Sequence, residues 1–167
     1  FGGVKKHKFW ECSECSAIYL YPTLTKREER RFYLKDFENY MGTRVADHRD
    51  WSNADRHKVT NQDQVARRMP FLEDYLMPGI DLLEIGCSSG FMLDFFRERG
   101  INCYGVEPSG AFSKYLENNG YEVFADLADI KANKFDLIVN FFVFEHVGNP
   151  RDFLKKSMSL LKEGGAI

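Results

Sequence analysis

The sequence predicts an α/β fold: a doubly wound parallel sheet, preceded by a small cysteine-bearing segment and a helical extension. Three observations carry this. The last ninety or so residues alternate buried-strand and amphipathic-helix patterns. The first of those strands runs straight into a glycine-bracketed turn, "LLEIGCSSGFML". The chain has 167 residues, 44% hydrophobic and 15% aromatic, enough for one substantial core plus a small extension.

Taken in order, residues 1–25 form a cysteine-knuckle segment, "FWECSECSAIYLYP". Cys12 and Cys15 are spaced as C-x-x-C between aromatic residues. Such a knuckle supplies half of a structural zinc site, which wants four ligands. Cys87 and Cys103 fall in predicted core elements, and His7 is one spare histidine, so the zinc site is incomplete and a cysteine pair upstream of Phe1 is its expected complement. A hairpin with reduced thiols fits the same residues, and so does a redox pair, although "SAIYLYP" reads as a strand where a redox motif wants a helix.

Residues 26–78 form a helical linker or lid region. Thr25 and Glu28 are spaced as a capping box, which starts a helix that carries to about Gly42. "TRVADHRDWSNADRHKVT", with His48, Trp51 and His57, has no strong periodicity and reads as a surface connection or a lid. Val65, Met69, Leu72 and Leu76 return to helical spacing, with a kink expected at Pro70.

Residues 79–167 are the sheet domain. Leu82, Leu83 and Ile85 read as a buried strand, followed by a helix from about Gly90 to Arg99 closed by Gly100. "NCYGVE" leads to a helix capped by Ser109 and closed by Gly120, and "YEVFA" is a short strand. "FDLIVN" leads through "FFVFEHVGNP" to a helix over about Pro150–Lys162, after which "GGAI" begins a further strand. Right-handed crossovers place every carboxyl end of these strands on one rim.

That rim collects the candidate binding residues. Gly86 and Gly90 permit backbone angles that a Cβ forbids, and Cys87, Ser88 and Ser89 keep the turn thin. A P-loop needs Gly-Lys-Ser/Thr, but Phe91 follows Gly90; a dinucleotide fingerprint needs glycine where Ser88 and Phe91 stand. What remains is acid-x-Gly-x-x-x-Gly. The Glu84 carboxylate would repel a pyrophosphate and suits a ligand bearing an ammonium or hydroxyls. Glu107 ends the second strand, where an acid can accept both hydroxyls of a ribose; it can also cap the next helix. Asp126 can meet an amino group or close a turn, and Asn140 and Phe141 can flank a planar ring, Phe141 also fitting a core position. His146 of "FEHV" can take a proton near neutral pH or simply hold the loop.

"LLEIGCSSG", "YGVEPS" and "FDLIVNFFVFEHVGNPRDFLKKSMSLLKEGGAI" resemble the successive motifs of class I S-adenosylmethionine-dependent methyltransferases, over about residues 65–167. The resemblance implies a Rossmann-like methyltransferase sheet, here ending at about its fifth strand, and S-adenosylmethionine as cofactor. It implies that the turn Gly86–Gly90 lies against the methionine part and that Glu107, with Pro108 beside it, binds the ribose. Ser88 departs from the glycine common in the family at that position. The cysteine knuckle followed by "YLYPTLTKREERRFY" resembles bacterial methyltransferases of nucleotide-linked sugars, whose knuckle belongs to a zinc-binding substrate domain. In those relatives a histidine in the segment of His146 is a candidate base. The implied function is methyl transfer to a small molecule; a non-catalytic cofactor-binding or interaction module is the alternative.

The net charge of −2 argues against a nucleic-acid partner. No apolar run approaches a membrane span. Four cysteines without a dense framework suit a reducing cytoplasm. Exposed sheet edges favour self-association.

Overall fold

The aromatic residues around the cysteine pair extend into two short strands, β1 (Lys8–Glu11) and β2 (Ile18–Tyr21), paired antiparallel with Trp10 opposite Tyr19. This is a computed structural model, and it describes residues 8–44, 53–131 and 134–167. His7, His48 and Trp51 lie outside the described residues. Thr25 and Glu28 make the capping box their spacing predicts: the Thr25 N–H donates to the Glu28 carboxylate at 2.8 Å, and the Glu28 N–H donates to Thr25 Oγ1 at 3.3 Å. The helix that follows is α1 (Lys26–Arg31), a π turn over Phe32–Asp36, and α2 (Phe37–Arg44), so it runs past Gly42.

The stretch without clear periodicity contains α3 (Ala54–Thr60). It starts because the Asn53 side chain accepts the Arg56 N–H at 3.0 Å. Then α4 (Gln62–Arg68) stops where Pro70 would lose a helical hydrogen bond. The chain continues as 3₁₀ turns over Met69–Phe71 and Glu73–Tyr75, so the expected kink is a termination.

Then come β3 (Asp81–Ile85), α5 (Phe91–Arg97), β4 (Asn102–Val106), α6 (Gly110–Asn118), β5 (Glu122–Phe124), β6 (Phe135–Asn140), α7 (Pro150–Ser159) and β7 (Leu161–Ala166). The five sheet strands lie in the order β5-β4-β3-β6-β7, every neighbouring pair parallel. The fold is therefore the α/β, Rossmann-like sheet that the sequence predicts. Side chains alternate along β3. Leu82 joins Met92, Phe96, Leu137 and Val139 in one apolar layer, while Leu83 and Ile85 join Val106, Ile138 and Leu160 in the other. Strand order reverses between β3 and β6, which opens a crevice at their carboxyl ends.

Two boundaries differ from expectation. Helix α7 ends at Ser159, because Leu160 turns into the core and Leu161 already pairs with Phe135. The glycine pair then lies inside β7, where the ladder with β6 is irregular. Ser109 occupies the N-cap position of α6, yet its side chain makes no cap bond.

Candidate functional site

The turn after β3 is left-handed three times: Gly86 at φ +76°, Ser88 at +46° and Gly90 at +79°. Each glycine also removes a collision. A Cβ on Gly86 would strike Val143, and one on Gly90 would strike Leu116 of α6. Gly90 therefore lets α5 and α6 approach under the turn, and Gly86 lets the loop after β6 lie against it. Cys87 is buried, its thiol facing the Val106 carbonyl, and burial pushes that thiol well above its ordinary range.

Glu107 locks the turn. It is 5% exposed, and it accepts the Ser88 N–H at 2.7 Å and the Ser109 N–H at 2.8 Å, one on each oxygen. The Ser109 it bonds precedes α6, so Glu107 ties the turn after β3 to the approach to that helix without bonding a helical N–H, and it stands on the ligand rim as well. Burial pushes its carboxyl up to about 7 against the pull of those two donors. Pro108 is half-buried between them. The Glu107 N–H donates to the Phe124 carbonyl at 2.9 Å, which brings the end of β5 alongside. Asp126 just beyond is exposed and accepts the Ala128 N–H at 2.8 Å, so here it closes a turn. The N-terminal helix reaches the same corner: Glu107 adds to burial and Glu29 in raising the Tyr33 phenol, and Asp126 adds to burial in raising Glu29.

On the other side of the turn, Glu84 is 2% exposed and faces Arg68 of α4, 11% exposed, at 3.8 Å. Arg68 lies over the Phe141 ring at 4.2 Å and the Phe91 ring at 5.0 Å. The pair is too long for a hydrogen bond. Among the described residues Glu84 Oε2 and Arg68 Nε have no hydrogen-bond partner. Burial pushes the Glu84 carboxyl up to about 8, with Arg68 pulling it down less than burial lifts it. A carboxyl group facing a guanidinium, each with a polar atom to spare, complements a zwitterion, whose ammonium would favour the ionised carboxylate.

Asn140 pairs with Ile85 at the end of β6, and Phe141 packs against the apolar layer of Met92 and Phe96, so both stand beside the turn and are half-buried. His146 is exposed on a 3₁₀ turn, Phe144–His146, and its N–H donates to the Val143 carbonyl at 2.8 Å. Cys12 and Cys15 sit in the hairpin turn. Backbone donors of Glu14 and Cys15 hold the Cys12 thiol below its ordinary value. Among the described residues no three His, Cys, Asp or Glu side chains gather to hold a metal.

Three residues at the site escape a reading by motif. Arg68 was visible as a position, since it falls three after Val65 and four before Leu72 on the apolar stripe of its helix. His57 joins Ser89 of the turn, Nδ1 to Oγ at 2.8 Å, and packs on Phe112. Phe142 takes the left-handed region at φ +57°, which no sequence pattern announces.

Known proteins resemble this chain in the same region. A ubiquinone biosynthesis O-methyltransferase of Maricaulis maris is 31% identical over 99 residues, 53% of this chain and 39% of that protein. One from Azoarcus sp. is 24% identical over 131 residues, 72% of this chain and 56% of that protein. The chain thus spans about two-fifths to little more than half the length of these curated relatives. Among solved structures, coclaurine N-methyltransferase bound to N-methylheliamine and SAH superposes with a TM-score of 0.52 at 21% identity, over 60% of this chain and 33% of that one, a likeness of fold. The family profile of the methyltransferase domain matches residues 56–167, which takes in the whole sheet, the glycine turn and α4 with Arg68; with that span matched, the chain belongs to the methyltransferase-domain family.

Proposed function

We propose that this chain binds S-adenosylmethionine across the carboxyl ends of β3, β4 and β6, and that it directs the methyl group to a hydroxyl of a small molecule. The observation that carries the reading is the Arg68–Glu84 pair, buried at the glycine turn with one polar atom of each unpartnered. A methionine moiety brings an ammonium for Glu84 and a carboxylate for Arg68. Glu107 is proposed to accept the ribose hydroxyls, a reading supported by the lone pairs each of its oxygens keeps beyond its backbone bond. Asn140, Phe141 and Asp126 are proposed to flank the adenine.

When bound, the cofactor supplies an electrophilic sulfonium methyl. The residues of this chain then supply position, which is the larger part of catalysis for an in-line displacement. His146 is proposed to take the proton that leaves the acceptor hydroxyl as the new carbon–oxygen bond forms. A hydroxyl acceptor is supported by the relatives named as O-methyltransferases. The N-terminal resemblance supports a hydroxyl of a nucleotide-linked sugar, with residues 1–25 as a substrate segment in which Cys12 and Cys15 hold half of a zinc site. No helix among the described residues is long and apolar enough to cross a membrane.

Calorimetry with S-adenosylhomocysteine tests the reading. The unmodified chain should bind it, and Glu84→Gln should weaken binding by about tenfold or more, the worth of a charge-assisted hydrogen bond. Unchanged affinity in Glu84→Gln would place the ligand elsewhere.

A further inference from the structure

Phe142 is unexplained by the fold. The residue is 71% exposed, although it follows directly on the half-buried Asn140 and Phe141 at the rim. Its backbone is left-handed, a strained conformation for an L-residue and a rare one for a bulky side chain. The next residue explains where it stands. Val143 lies so close to Gly86 that a Cβ there would collide with it, so the Phe142–Val143 step passes directly over the glycine turn. Two residues on, Phe144 is 42% exposed, its ring 5.9 Å from that of Phe153. On the other side, Arg68 lies 5.7 Å from the Phe142 ring. An aromatic face thus opens outward at the switch point of the sheet, beside the groups proposed to hold the cofactor.

We infer that Phe142 recognises the methyl acceptor, and that the acceptor presents a planar conjugated ring to it. Stacking on an aromatic face rewards a flat π-system and discriminates against a saturated ring of equal size. This inference rests on the cofactor reading above. Two sources supply such a ring: a phenol that is itself methylated, or the base of a nucleotide-linked sugar.

The test uses the full chain with S-adenosylhomocysteine present and three probes: 3,4-dihydroxybenzoate, UDP-glucose, and quinate as a saturated control. One planar probe should bind, quinate should bind at least tenfold more weakly than dihydroxybenzoate if the phenol is the source, and which planar probe binds identifies that source. Phe142→Asn tolerates the left-handed backbone, so it should fold at least as stably, keep its affinity for S-adenosylhomocysteine, and lose tenfold or more for the planar probe. Phe142→Tyr should retain that binding. Equal probe affinity in Phe142→Asn, binding of quinate as tight as that of a dihydroxybenzoate that does bind, or no binding of either planar probe by a chain that does bind S-adenosylhomocysteine overturns the inference alone. No binding of S-adenosylhomocysteine by the unmodified chain overturns the cofactor reading, and this inference with it.

Discussion

Ser88 stands where glycine would be at ease, and its neighbours show how a serine is tolerated. The left-handed backbone points its N–H at Glu107 Oε2, 2.7 Å away, so a strong hydrogen bond offsets the strain. Ser88→Gly should keep that bond without the strain and raise stability by about 1 kcal/mol, read as a higher midpoint in urea. Gly90→Ala should do the reverse, losing more than about 1 kcal/mol, because its Cβ meets Leu116 at φ +79°. Glu107 carries two loads. Glu107→Ala strands two backbone N–H groups and should lose about 1–3 kcal/mol of stability, as well as lowering affinity for S-adenosylhomocysteine. A variant that lost affinity with an unchanged melting temperature would contradict the double role. Glu84 sets a pH dependence. Its carboxyl is raised from an ordinary 4.5 to about 8, so the folded state keeps a proton that the unfolded chain gives up. Its contribution is therefore full below pH 4.5 and is lost as pH rises toward 8. Denaturant midpoints across that range should fall less steeply in Glu84→Gln than in the unmodified chain.

At the scale of elements, α3 is the brace of the glycine turn. His57 bonds Ser89, Lys58 meets Asp94 of α5 at 2.6 Å, and the Tyr115 hydroxyl of α6 donates to Asp55 at 2.6 Å. One short helix thus touches the turn and both helices that flank it. Burial lowers His57 from 6.5 to about 4, the opposite sign to Glu84. The unfolded chain takes up a proton that the folded chain refuses, so stability is lost as pH falls from 6.5 toward 4. His57→Gln should flatten that acid limb of the stability profile and leave the alkaline limb to Glu84. An acid limb as steep in His57→Gln as in the unmodified chain would assign it to other groups. The helix of α1 and α2 plays a similar part at the other corner, where Tyr33 and Glu29 come within the field of Glu107 and Asp126.

Across the whole molecule, the two rims of the sheet do different work. At the amino ends, Lys162 of β7 bonds Asp81 of β3 and Asp136 of β6 at 2.7 Å each, tying three strands together. At the carboxyl ends, the acids are buried with spare capacity. Between the rims lies a core in which Phe96, fully buried, contacts the layer of Leu82, Met92 and Leu137. Phe96→Ala should cost about 3–5 kcal/mol with the site chemistry untouched, measurable as a large fall in the urea midpoint.

The sequence by itself determined the sheet and most of its rim. Apolar strands of β3 and β6 type can only be buried on both faces, and the crossover rule then aligns Glu84, Gly86, Glu107 and Asn140 without further information. The capping box of Thr25 and Glu28 was equally legible, because it is a local bond between residues three apart. Tertiary structure decided what depends on contacts between distant segments. Arg68 is a buried partner of Glu84 and not a solvated cation, because α4 packs its apolar stripe on α5. His57 is a brace because Ser89 meets it across 32 positions of sequence. Gly90 clears a neighbouring helix, and Phe142 is strained into the open, because backbone angles and collisions across the fold are set by packing, which no local pattern encodes.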